Sequence, residues 1–499
     1  MHLAFLNPQG NFDPKDSYWT EHPDFGGQLV YVKQVALAMG ALGHKVDILT
    51  RQIIDPDWPE FASRFDDYPD TPNVRVIRLP AGGGKFLRKE LLWPHLVTDW
   101  VPNILDFYHA EGSLPQTFSA HYGDGGLCGV LISRQAGTPF TFTAHSLGAQ
   151  KMEKLNVTPD NLAEIDAHYH FTQRIVAERL CMNRSAVNIT STRQERYIQY
   201  SHPAYQGAVD VSDDRRFEVI PPGVDLSIFD SGARAENETE VRSRIMHKLE
   251  RDISTDRLDL PVIIASSRLD PKKNHLGLVK AFAYHPSLQS KANLVFITAA
   301  LDNPLWEDGM ASPAEKDVLA QIRQVVQEND LWDKISAFAL QGQPALAAAY
   351  RFFAERGSVF SLTALYEPFG LAPLEAAATS LPVVVTKNGG PSESLQQGRQ
   401  QYGVLVDPED PSSIAKGLET VLSDQQTWQS FSRLGRQRVL ERYTWDRTAA
   451  SYLSVLEKIA KHPDVRRSES RLPVHPYFLE PDPANKISLE ILKSLYFHS

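Results

Sequence analysis

The sequence predicts an α/β protein built as two Rossmann-like domains facing a cleft. Three observations carry this. Short apolar runs alternate with helical patterns, as parallel sheets covered by helices require. The alternation breaks once, around 225–258, and restarts at 261 with P-V-I-I-A-S-S-R. The length of 499 residues corresponds to two to four domains at ~150 residues each, and 42% hydrophobic residues suffice for sizeable cores.

The first half offers strands at 3–7, 45–49, 74–79, 117–120, 139–144 and 187–190. The clearest helix is 28–42, with Leu29, Val32, Val35, Ala36, Met39 and Leu42 at helical spacing. Residues 201–217 read as a polar loop, V-I-P-P-G-V-D at 219–225 is stiffened by its proline pair, and 230–258 is highly charged. Further strands follow near 293–298, 335–338, 358–361 and 382–385, then helices over 411–461. The segment after 461 has too many prolines and charges for a core element, and 485–497 suits a short docking helix. The domains are drawn as 1–228 and 229–449.

Composition excludes several classes. A net charge of −10 argues against nucleic acid as the main partner. No apolar run reaches ~18 residues, so no membrane span is expected. The start, M-H-L-A-F-L-N-P-Q-G, lacks a basic and apolar leader and reads as a strand. The cysteines, Cys128 and Cys181, form no Cys-x-x-Cys, which favours a reducing cytoplasm over a disulfide framework. D-P-D at 55–57 and D-P-E-D at 407–410 lack calcium-loop spacing. No tightly held metal or cofactor is expected, and magnesium, if it stimulates, has no dedicated site. Composition does not fix the oligomeric state.

Five segments carry chemistry, each with a bland alternative. D-F-G-G-Q at 24–28 puts two glycines before a helix, where backbone amides can approach an anion or simply form a turn. S-S-R-L-D-P-K-K-N-H at 266–275 sets Arg268 and Lys273 at a strand's C-terminal end, suited to a diphosphate or to a solvated turn. T-F-T-A-H-S-L-G at 141–148 ends a strand at His145 and Ser146, without the Gly-x-Ser-x-Gly elbow of a hydrolase; a satisfied core histidine is the alternative. In L-Y-E-P-F-G-L-A-P-L-E at 365–375, free amides at Gly370, Leu371 and Ala372 suit a phosphate, and Glu367 and Glu375 suit sugar hydroxyls. By itself that segment equally fits acidic residues complementing a helix dipole. The scattered cations Lys89, Lys151, Lys154 and Arg174 suit a phosphate ester if they converge, or a solvated face with Arg174 paired to Glu178.

Taken together, these segments resemble the retaining glycosyltransferases of the GT-B fold, in the branch of the sucrose-phosphate synthases and sucrose synthases, and lie close to the former. The resemblance rests on N-P-Q-G-N-F at 7–12, D-F-G-G-Q-L-V-Y-V at 24–32, H-Y-G-D-G-G at 121–126 and H-S-L-G-A-Q-K-M-E-K-L at 145–155. It continues with I-P-P-G-V at 220–224, S-R-L-D-P-K-K-N at 267–274, Y-E-P-F-G-L-A-P-L-E-A at 366–376, N-G-G-P-S-E at 388–393 and Y-G-V-L-V-D-P at 402–408, covering roughly residues 1–460.

The resemblance implies glucosyl transfer from UDP-glucose or ADP-glucose to fructose 6-phosphate, giving sucrose 6-phosphate. It implies that Glu367 contacts the donor sugar and Glu375 the ribose. Arg268 and Lys273 hold the diphosphate with the amides around Phe369, Gly370, Leu371 and Ala372, and His145 lies beside the anomeric carbon. Gly26, Gly27 and Gln28 approach donor phosphate and acceptor. Lys89, Tyr122, Ser146, Lys151 and Arg174 serve the acceptor. The first domain becomes the acceptor domain, with 450–499 packing back on it, and the second the nucleotide-sugar domain.

Thr143-Ala144-His145-Ser146 departs from the family's Thr-Gly-His-Ser by one methyl group. The plant members' phosphatase-like domain has no counterpart in the some 40 residues after the core, so phosphatase activity is not expected. L-Q-G-Q-P at 340–344 is the segment chosen for the nucleotide base, without deciding uracil against adenine. The rival readings are a sucrose synthase using free fructose and a nucleotide-sugar-binding protein without turnover. A nicotinamide dehydrogenase is disfavoured by the missing Gly-x-Gly-x-x-Gly.

Overall fold

The computed structural model describes residues 1–19, 22, 25–461 and 471–497. The chain divides into two compact units, Met1–Pro221 with Thr448–Ser499, and Pro222–Arg447.

The first unit is built on eight strands: β1 (His2–Leu6), β2 (Lys45–Arg51), β3 (Phe65–Asp67), β4 (Val74–Leu79), β5 (Thr117–His121), β6 (Phe140–Thr143), β7 (Val187–Thr190) and β8 (Phe217–Val219). Their spatial order is β3-β4-β2-β1-β5-β6-β7-β8. Every pairing is parallel except β3 with β4. A parallel sheet carries helices on both faces, so its central strands are buried on both sides. β5, Thr-Phe-Ser-Ala-His, accordingly has no exposed residue.

The second unit holds β9 (Val262–Ser266), β10 (Asn293–Thr298), β11 (Ile335–Ala339), β12 (Val359–Leu362), β13 (Val383–Thr386), the short hairpin β14 (Gln396–Gln397) and β15 (Gln400–Gln401), and β16 (Val404–Val406). Six of these form an all-parallel sheet in the order β11-β10-β9-β12-β13-β16. Both units therefore have the doubly wound architecture expected of Rossmann-like domains, in which ligands bind beyond the strands' C-terminal ends.

The structure departs from the sequence reading in three places. The 201–217 segment is not simply a polar loop: Ala204, Tyr205 and Arg216 are buried, and it leads into β8. The short strands β3, β8, β14, β15 and β16 are additional. The described part of the C-terminal segment is also not too polar to join a core. Phe478, Ile487 and Leu492 are buried in the first unit's core, with Leu472 and Val474 packed against it. Asn183 Oδ1 accepts from the Leu472 amide, and Arg184 donates to the Leu472 carbonyl. The prolines interrupt helix without preventing the apolar residues between them from packing. Helix Leu489–Phe497 follows.

Candidate active site

In the second unit, the segment after β9 and the segment after β12 are tied together. Asn274, at φ +55°, caps helix His275–Ala283 by accepting from the Gly277 amide. Its Nδ2 donates to the Thr363 carbonyl (3.1 Å), and Thr363 Oγ1 donates to the Asn274 carbonyl (3.0 Å). The Leu365 amide donates to the Lys272 carbonyl. This lacing places Lys273 Nζ 2.7 Å from Glu367 Oε2. Arg268 stands exposed near the same strand end, with no side-chain hydrogen bond or ion pair among the described residues.

Glu367 is fixed from its other side by Asn-Gly-Gly at 388–390. Its amide donates to the Asn388 carbonyl, and its carbonyl accepts from the Gly390 amide. The approach is so close that a Cβ on Gly389, itself at φ +99°, would lie 2.0 Å from the Glu367 oxygen. Glycine is required there on both counts.

Helix Leu371–Ala378 begins at Gly370, at φ +88°, with no side chain capping it. The amides of Gly370, Leu371 and Ala372 are thus not used by a cap, the arrangement that attracts an anion. Phe369 is half-buried, its ring 6.2 Å from that of Tyr443. Glu375 is half-buried one turn in, and burial raises its carboxyl to about 7. Tyr350, hydrogen-bonded to Ser266 at the end of β9, feels the Glu375 charge. The loop 340–344 borders a cavity of about 630 Å³, whose lining includes Ser227, Arg234, Asn237, Gln341 and Pro344.

In the first unit, His145 lies two residues beyond β6 in the left-handed region, φ +55°. Burial lowers it to about 3, so the ring is neutral. Its Nε2 is 2.8 Å from His121 Nδ1 at the end of β5, and the two rings stack. Helix Gly27–Ala41 starts at Gly26 without a side-chain cap, and a Cβ on Gly26 or Gly27 would meet nothing within 4 Å. Gln28 Nε2 donates to Asn7 Oδ1 at 3.4 Å. Asp24 lies outside the described residues.

Arg174 is buried and paired: its Nε donates to Glu178 Oε1 (2.8 Å) and a terminal nitrogen to the Ser146 carbonyl (2.8 Å). Its guanidinium also lies 4.7 Å from the Tyr122 ring centre. The bland pairing with Glu178 and a place beside Ser146 and Tyr122 are thus both present. Lys89 is near enough for its charge to act on Tyr122 and Asp124. Lys151 lies instead over the Tyr169 ring at 4.1 Å, and Lys154 is exposed.

The family models for group 1 glycosyl transferases and for the glycosyl transferase 4-like domain match residues 247–438 and 26–199. A probable sucrose-phosphate synthase from Thermosipho melanesiensis is 41% identical over 458 residues, 92% of this chain and 97% of the relative. The chain belongs to the sucrose-phosphate synthase family of glycosyltransferases. A probable sucrose-phosphate synthase of Vicia faba is 32% identical over 94% of the chain, which spans 48% of that longer relative. The solved sucrose-phosphate synthase of Thermosynechococcus elongatus superposes with a TM-score of 0.63 at 23% identity, over 92% of this chain and 99% of that one. These two α/β units are those of the GT-B fold.

The glycosyltransferase holds two further side chains at or just beyond the end of β5 that sequence reasoning did not single out, and a third, Glu178 of helix Phe171–Arg184, that it named only as a partner for Arg174. His121 ends β5 much as His145 follows β6, so the same signal, a histidine at a strand's C-terminal end, was present in H-Y-G-D-G-G. Asp124 is buried and raised to about 7 by desolvation, against the pull of Lys89 and Arg174; its Oδ2 has no hydrogen-bond partner among the described residues. Glu178 accepts from the Gly148 amide and the Tyr205 hydroxyl as well as from Arg174, contacts that spacing along the chain does not reveal. Among the described residues no three His, Cys, Asp or Glu side chains gather as metal ligands, and no helix is long and apolar enough to cross a membrane. Both cysteines are buried free thiols.

Proposed function

We propose that the enzyme transfers glucose from a nucleotide-glucose, UDP-glucose or ADP-glucose, to fructose 6-phosphate, forming sucrose 6-phosphate with retention at the anomeric carbon. The observation that carries the acceptor assignment is that Arg174 lies against Ser146 and Tyr122, just beyond β6 and β5, with the charge of Lys89 acting on the same Tyr122. A phosphate ester needs such cations and a neutral sugar does not. The relatives named sucrose-phosphate synthase support the same reading.

On this reading Arg268 and Lys273 bind the donor diphosphate with the amides at the start of helix Leu371–Ala378. Glu367 accepts from the sugar hydroxyls and Glu375 from the ribose. The glucose C1–O bond to the β-phosphate breaks through an oxocarbenium-like state, and the bond from C1 to the anomeric oxygen of fructose 6-phosphate forms on the same face. The acceptor's proton passes to the departing phosphate oxygen, and the nucleoside diphosphate leaves. Cations and fixed amides stabilise the charge that develops on the leaving group. Holding both substrates in place supplies the orientation. Lys151, Gln28, Gly26 and Gly27 complete the acceptor and phosphate contacts.

The test is to give the protein labelled nucleotide-glucose with either fructose 6-phosphate or fructose and to identify the product. Sucrose 6-phosphate supports the proposal. Sucrose formed from free fructose alone replaces it with the synthase reading, and tight nucleotide binding without transfer with the binding-protein reading. Capture of a glycosyl-enzyme adduct by mass spectrometry overturns the same-face step.

A further inference from the structure

The inner side of the His145 ring is held by a hydrogen-bonded chain that ends on helix Trp445–Lys461. His145 Nε2 meets His121 Nδ1 at 2.8 Å, and His121 Nε2 meets Ser119 Oγ at 3.0 Å. Ser119 Oγ lies 2.6 Å from the Tyr452 hydroxyl, which also reaches Thr143 Oγ1 at 3.1 Å and Thr141 Oγ1 at 3.2 Å. Thr141 Oγ1 donates to Ser119 Oγ at 3.3 Å.

Ser119, His121, Thr141, Thr143 and Tyr452 are all 3% exposed or less. Five polar side chains among the apolar groups of a sheet face are costly unless each is satisfied. Core packing alone would be served by apolar residues of similar shape. The group is instead satisfied, and among the described residues its hydrogen bonds lead out to the ring of His145.

The chain has a direction. A neutral imidazole carries one N–H, so one of the two histidines donates and the other accepts. The shortest link joins Tyr452 to Ser119. A phenol is the stronger acid and an alkyl hydroxyl the better acceptor, so Tyr452 donates there. Thr141 donates to the same oxygen. The proton of Ser119 is then left with His121 Nε2 as its acceptor. His121 carries its own proton on Nδ1 and donates to His145 Nε2, which leaves the His145 proton on Nδ1.

We propose that Tyr452 is a positioning residue that, through Ser119 and His121, holds His145 as the Nδ1–H tautomer. The ring nitrogen not engaged by His121 is thereby a hydrogen-bond donor and not a base. This rests on the reading of His145 as a group beside the anomeric carbon. It deepens that reading, since a same-face mechanism needs a donor to sugar oxygens there and no protein base.

Nitrogen-15 NMR of histidine-labelled enzyme, assigned with His121→Gln and His145→Gln, reads the tautomers directly. The expected result for the wild type is protonated Nδ1 in both rings. A His145 ring protonated on Nε2 overturns the proposal. Tyr452→Phe keeps the ring and removes the hydroxyl; it should mix the His145 tautomers and lower kcat roughly tenfold. The KM for nucleotide-glucose should move less than about twofold, a split that general loosening of the fold would not produce. Unmixed tautomers in Tyr452→Phe also overturn the proposal. Ser119→Ala, which cuts the same chain at a smaller side chain, decides the matter if the phenylalanine variant does not fold. Full transfer by His145→Ala would remove the role assigned to His145, while the wild-type spectrum would still decide the hydrogen-bonded chain.

Discussion

Lys273 Nζ and Glu367 Oε2 are 2.7 Å apart, although the two residues stand 94 positions apart in the chain. Each has a separate task in the proposed reaction, the lysine on the diphosphate and the glutamate on the sugar. In the free enzyme they neutralise one another. On that proposal, donor binding divides this pair between two parts of one ligand.

Glu367→Gln should separate the two tasks. Removing the negative charge beside Lys273 leaves the cation free for phosphate, so a nucleoside diphosphate should bind more tightly by calorimetry. Transfer should fall by about 10²–10³-fold, the range for losing one preorganised transition-state contact. Weaker nucleotide binding in this variant would show that Glu367 supports the diphosphate site and does not compete for its lysine.

Gly389→Ala should impair the enzyme without touching a charged group. The added Cβ would lie 2.0 Å from the Glu367 carbonyl oxygen at a backbone φ of +99°. The positive φ alone costs about 1–3 kcal/mol, and the clash pushes Glu367 out of place. Lower stability in urea together with a lower kcat is expected. A variant with wild-type kcat would show that the 388–390 segment does not position the glutamate.

Nucleotide affinity should depend on pH through Glu375. Burial sets its carboxyl at about 7, so it becomes a full acceptor for ribose hydroxyls only as the pH rises through that value. Binding measured by calorimetry should tighten between pH 6 and pH 8 in the wild type. It should change less in Glu375→Gln.

Asp124 makes the opposite kind of pH dependence, in stability. Its folded value of about 7 stands above the ordinary 3.8, so the fold favours the protonated acid. The stability it contributes is complete below pH 3.8 and is lost as the pH rises through 7. Between pH 5 and pH 8 the wild type should lose about 2–3 kcal/mol from this group by chemical denaturation. Asp124→Asn should be free of that loss.

Arg174 and Lys151 should answer differently when truncated. Arg174→Ala leaves Glu178 buried without its cation, a loss of about 3–5 kcal/mol, and should be seen first in thermal unfolding. Lys151 is half-buried over Tyr169, so Lys151→Ala should leave the fold intact. A several-fold higher KM for fructose 6-phosphate in that variant supports its place in the acceptor site. An unchanged KM removes it.

The sheets were legible because parallel strands buried on both faces are written as continuous apolar runs, as in Val383–Thr386. The edge strand Phe65–Asp67 was not, since a three-residue edge strand has no such signature. Arg268, Lys273 and Glu367 could be placed at strand ends from sequence alone. The salt bridge between two of them could not, because it depends on Asn274 and Thr363 lacing one loop to the other. Glu178 was anticipated only as a helical neighbour of Arg174. Its contacts with Gly148 and Tyr205 bring together residues 30 and 27 positions away. The proline-rich segment hid Phe478 and Ile487 because composition averages over residues that packing treats singly.

The first unit is assembled from two segments separated by the whole of the second, with Tyr452, Phe478 and Leu492 inside its core. The second unit is contiguous and can be finished while translation continues. At ~5–20 residues per second, ribosomes need on the order of tens of seconds to go from Pro221 to the last of these residues. Over that interval the nascent first unit lacks the phenol that terminates its buried polar chain and the side chains that close its core. The first unit, begun before the second, is thus completed after it, and its maturation waits on the arrival of helices Trp445–Lys461 and Leu489–Phe497.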